Sequence, residues 1–164
     1  MIFGMTTSTF VHVVLSLIGI FAGFVVALGL MTGKRLDGWT ALFLVTTVLT
    51  SVTGFLFPFH KFLPSHEVGI VSMVTLTVAI LARYAMHLAG GWRRGYVVTA
   101  MISLYLNVFV LVAQLFQKVP ALKAIAPTQS ERPFLVTQVV VMAVFVVLTI
   151  LAAKGFRNEA GHAA

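Results

Sequence analysis

His12, His60, His66 and Glu67 are the residues of this 164-residue sequence whose types and placement could do the most chemistry. Imidazole nitrogen suits zinc, copper, iron and nickel, so three histidines and a carboxylate could close on one divalent metal. Two imidazoles from different helices could instead hold a b-type haem, one on each side of the iron. A basic pair comes next: Arg83 and His87 stand four apart and would share a helical face. That pair suits an anionic lipid, a quinone head or an acidic partner. A third group is uncharged. Ser103, Asn107 and Gln114 recur at spacings of four and seven, and Gln138 follows on a later segment, as would suit a buried polar stripe or the lining of a small pore.

Each group also has a plainer reading. Histidines near a membrane interface are inexpensive, and Glu67 in the first turn of a helix is favoured by the helix dipole without any ligand. Arg83 lies within snorkelling reach of the headgroups. Asn, Gln and Ser facing other helices serve as hydrogen-bond glue. Catalytic signatures are missing. There is no G-x-x-x-x-G-K-[ST], H-E-x-x-H or G-x-S-x-G, and cysteine is absent, which removes disulfides, thiolate zinc sites and thiol catalysis. Ser16 and His12 share a helix face but lack the third group and the oxyanion hole that a serine nucleophile needs.

The segments that must position these groups follow from composition. With 60% hydrophobic residues, 9% charged and a mean hydropathy of +1.06, the chain cannot cover itself with the polar surface that a water-soluble domain requires. Five stretches reach the length and apolarity of a membrane-spanning helix: about 10–31, 39–59, 68–89, 96–117 and 134–153. Three of the four connections are short, so one all-α bundle of five transmembrane helices is expected as a single domain. In the longer fourth connection, ALKAIA can form one or two interfacial turns between prolines. No carboxylate is expected within a span, which removes the relay common in ion-coupled carriers.

The net charge of +7 is dispersed in ones and twos and carries no nucleic-acid signature. It reads as topology. Lys34, Arg35, Arg83, Arg93, Arg94, Lys154 and Arg157 would lie on one side, and Lys61, Lys118, Lys123 and Arg132 on the other. The richer side is expected to be cytoplasmic, placing the N-terminus outside and the C-terminus inside. His12, His60, His66, Glu67, Gln114 and Gln138 would then lie in or near the outer leaflet. On the first span His12, Ser16, Gly19, Gly23 and Ala27 form one stripe containing a G-x-x-x-G, expected to pack within the bundle. The second span offers Thr40, Thr47, Thr50, Ser51 and Gly54 along one side, and Asn107 near the bilayer centre needs a buried partner.

LYLNVFVLVAQLFQKVPALKAIAPTQSERP, Leu104 to Pro133, resembles a segment of small, uncharacterised multi-pass proteins of the bacterial inner membrane. TSVTGFLFPFHKFLPSHEVG, Thr50 to Gly69, fits the same resemblance. It implies a bacterial cytoplasmic-membrane location and supplies no activity. A looser similarity, in helix count and in histidines near helix ends, is to small b-type cytochromes, although their paired histidines at both leaflets are not reproduced. The reading taken is a non-enzymatic accessory or interaction subunit in contact with the lipid bilayer, as a homo-oligomer or part of a larger membrane complex, with no cofactor. The alternatives are a haem b or divalent-metal redox protein using His12, His60 and His66, and a small carrier or pore lined by Ser103, Asn107, Gln114 and Gln138.

Overall fold

The computed structural model describes residues 6–34, 36–56 and 64–162, the side chains of 64–65 and 157–162 excepted. Six α-helices account for most of them. They are α1 (Thr7–Met31), α2 (Asp37–Phe55), α3 (Pro64–Ile80, prolonged by a π-turn over Leu81–Ala85), α4 (Trp92–Lys118), α5 (Pro120–Ile125) and α6 (Arg132–His162). Five are long and apolar enough to cross a bilayer: α1, α2, α3 with its π-turn, α4, and α6 as far as Phe156. The short α5 is the helical turn anticipated between Pro120 and Pro127, and none of its residues is buried.

Local chemistry sets the ends. The Thr6 hydroxyl caps α1 by accepting from the Thr9 N–H. At the other end Gly33 takes φ +75°, while the amides of Gly33 and Lys34 close onto the carbonyls of Leu30 and Gly29. The third span departs from expectation. It was placed at 68–89, but the helix widens at Leu81 and ends at Ala85, with Met86 N–H reaching back five residues to the Leu81 carbonyl. His87 and Leu88 then adopt φ +51° and +58°, which tucks Leu88 into the core.

In packing order α1 lies beside α2, α2 beside α3, α3 beside α4, α4 beside α6, and α6 returns to α1; α1 also meets α4 across the middle. The core holds Ala22, Val26, Leu30, Phe43, Leu76, Tyr96, Leu104 and Phe156. Small residues permit this density without a hydrophobic drive. A Cβ on Gly19 would stand 3.1 Å from the Thr46 hydroxyl of α2, and one on Gly23 would stand 2.5 Å from Leu104 of α4. The G-x-x-x-G is thus spent inside the chain. Gly155 is tighter, since its Cβ would come within 2.1 Å of the Met31 carbonyl oxygen. The outer face of α6, with Leu135, Val136, Val139, Val140, Val144 and Val147 among others, is exposed and apolar, as a lipid-facing helix requires.

Candidate functional site

The histidines occupy one end of the bundle without assembling. His12, half-buried, turns its Nδ1 to the Thr53 hydroxyl at 2.9 Å, and its ring passes over Gly54, where a Cβ would lie 3.4 Å away. His66 is buried with its ring 6.2 Å from that of Phe55. Glu67 on the next position is exposed, and His60 lies outside the described residues. Among the described residues no three His, Asp or Glu side chains gather to hold a metal ion. Of the expected set His12, His60, His66 and Glu67, the three described members do not gather, the His12 ring turning to Thr53 of α2.

The polar stripe of α4 is real but divided. Ser103 meets Thr75 of α3 through a 2.9 Å hydroxyl contact. Asn107 turns the other way and donates to the Thr47 hydroxyl of α2 at 3.4 Å. Gln138 of α6 donates to the Phe109 carbonyl at 3.2 Å, leaving its buried Oε1 without a partner among the described residues. Ser51 and Ser72 join α2 to α3 at 3.3 Å. Gln114 does not belong to this set: it is exposed.

The opposite end holds the densest charged cluster. Arg83, in the π-turn, is only 7% exposed. Its Nη2 pairs with the Asp37 carboxylate at the start of α2, while its Nη1 is buried without a hydrogen-bond partner among the described residues. The guanidinium lies 5.3 Å from the centre of the fully buried Tyr96 ring and 5.9 Å from that of Tyr84. The Tyr96 hydroxyl is buried beside Thr40 and Arg83. Tyr96 in turn packs at 6.1 Å on Phe156, whose ring carries the Arg93 guanidinium at 4.0 Å, and Arg93 Nε donates to the Phe156 carbonyl at 2.9 Å. Arg93, Phe156, Tyr96, Arg83 and Asp37 thus form one chain of contacts, cation, ring, ring, cation and carboxylate, across α4, α6, the π-turn after α3, and α2. Attraction of a cation to a ring face is worth about 0.5–2 kcal/mol, most where water is excluded.

Two expectations are corrected at this end. Arg83 does not snorkel outward, since the wider π-turn aims it between α2 and α4, where Asp37 and Tyr96 receive it. His87 is not its neighbour on a helical face, because the helix has ended and His87 sits, exposed, in the left-handed turn. Asp37 was missed as a partner. It was read as part of a connection, whereas it opens α2. The signal in the sequence is the lone acid of TGKRLDG and the lone arginine within an otherwise uncharged apolar stretch, Val68–Ala89.

Comparison of the chain with known protein families, with curated proteins and with solved structures gives no match. Five apolar helices are compatible with a membrane protein in lipid contact.

Proposed function

We propose that the chain is a non-enzymatic accessory or interaction subunit of a bacterial cytoplasmic membrane, oriented with its N-terminus outside. The observation that carries this reading is how the interior polar side chains are used. Ser51 with Ser72, Thr75 with Ser103, Asn107 with Thr47, Gln138 with Phe109, and His12 with Thr53 are each spent on a neighbouring helix. Groups paired in this way join helices and do not converge on a substrate. A lumen is not favoured either, because Ser103, Asn107 and Gln138 face different neighbours and Gln114 faces outward.

An accessory subunit must be found with its partners. Purification from the native membrane in a mild detergent should yield a stoichiometric assembly heavier than the 17.8 kDa chain. A colourless, metal-free monomer in every detergent would overturn the subunit reading, and a Soret band would replace it with the haem reading.

A further inference from the structure

The segment GGWRRG, Gly90–Gly95, which leads from the π-turn into the first turn of α4, borders a cavity of about 210 Å³ lined by Gly90, Gly91, Arg93, Arg94, Val97, Ala153 and Phe156. We infer that this cavity binds the phosphate group of an anionic phospholipid. Three features of the end of the bundle support it.

The first is the composition of the walls. Arg93 and Arg94 line the cavity together with the apolar Val97, Ala153 and Phe156. A phosphodiester attached to acyl chains likewise combines charge with apolar surface, and guanidinium matches phosphate oxygens in a two-pronged geometry. Arg93 is held in place by the Phe156 ring and carbonyl, so ordering it costs little when a ligand arrives. Arg94 is exposed at the mouth.

The second is room for an approaching group. Gly90, at φ +54°, and Gly91 have nothing within 4 Å of where a Cβ would stand. Their bare backbone leaves that part of the cavity lining open.

The third is charge. The described helix ends that meet here carry Lys34, Arg83, Arg93, Arg94 and Lys154 against Asp37, and Asp37 is engaged by Arg83. The first turn of α4 has two arginines, no acidic residue and no side-chain cap, an arrangement the helix dipole disfavours until an anion is present. The cationic excess calls for anions from outside the chain, and at a membrane surface those are lipid phosphates.

The test uses Trp92, which adjoins the cavity; the chain has only two tryptophans, so Trp39→Phe leaves Trp92 as the sole reporter. The full chain is placed in phosphatidylcholine vesicles containing either brominated phosphatidylglycerol or brominated phosphatidylcholine, and quenching of Trp92 is compared. Phosphatidylglycerol should quench at a lower mole fraction, and Arg94→Gln, at an exposed position, should cut the preference about fivefold, the factor expected for one basic residue at an anionic surface. Arg93→Lys keeps the charge but loses the planar fork and should retain part of the preference. Lys123→Gln, at the opposite end, should leave it intact. Inorganic phosphate is then added in detergent: displacement of the lipid by phosphate would assign the site to phosphate chemistry in general, and no displacement would assign it to the lipid. Equal quenching by the two lipids, or an equal loss in Lys123→Gln and Arg94→Gln, overturns the proposal.

Discussion

The guanidinium carbon of Arg83 lies 5.3 Å from the centre of the Tyr96 ring, with both side chains withdrawn from the surface. Its other partner, Asp37, keeps a side chain 81% exposed. The two contacts therefore differ in strength. An exposed carboxylate contributes at most about 1 kcal/mol, whereas a cation over a shielded ring contributes up to about 2 kcal/mol and brings the packing of its stem with it. Asp37→Asn should barely move the thermal unfolding midpoint in detergent, and Arg83→Gln should lower it clearly, with Arg83→Lys between. Equal losses in Asp37→Asn and Arg83→Gln would show that the ion pair dominates.

Helix proximity makes a second prediction. Gly155→Ala forces a methyl onto the backbone carbonyl of Met31, which cannot swing aside as a side chain can. The loss should be about 1–3 kcal/mol or more. Gly95→Ala, where nothing lies within 4 Å, should be neutral or add up to about 1 kcal/mol by restricting the unfolded chain. Unfolding of both variants beside the parent protein measures the contrast, and a tolerated Gly155→Ala would mean that α1 and α6 are less closely apposed than described.

These glycines mark what the sequence could and could not convey. The number of long apolar helices, the inward stripe Gly19, Gly23, Ala27 and the short helix at 120–125 were legible, because apolar length, helical spacing and the flanking prolines encode them directly. The end of the third span was not. Hydropathy continues through Met86 to Ala89, and nothing in that stretch announces a π-turn or two successive left-handed residues. Helical spacing puts Gln114 in line with Asn107 but does not encode whether a neighbouring helix covers that turn, and Asp37 sits in a charged stretch that reads as a loop although it opens α2. Spatial convergence of histidines from separate helices depends on rotations that a one-dimensional pattern does not carry.

The turn ahead of α6 supplies a pH prediction. The Glu131 carboxylate accepts from the Thr128 hydroxyl at 2.7 Å and from the amides of Thr128 and Ser130. The Thr128 hydroxyl bond first, then the amides, hold its pKa below the ordinary glutamate value. A carboxyl whose folded pKa is depressed stabilises the turn above its unfolded pKa, and that contribution disappears as pH falls through the folded value. The Thr128 and Ser130 amide resonances should titrate together at a pH below the normal glutamate range, and Glu131→Gln should abolish the transition. A midpoint at or above the ordinary value would show that the turn is not held by this carboxylate.

The central claim is that the interior polar groups serve packing between helices, and Asn107 with Thr47 offers its most direct test. A double-mutant cycle of Asn107→Leu and Thr47→Val, read by unfolding in detergent, measures their coupling. Polar contacts between membrane helices average about 0.6 kcal/mol, so each single substitution should destabilise and the pair should lose less than the sum by about that amount. If Asn107→Leu instead raises stability and the coupling is zero, the amide is retained for something other than holding α4 to α2.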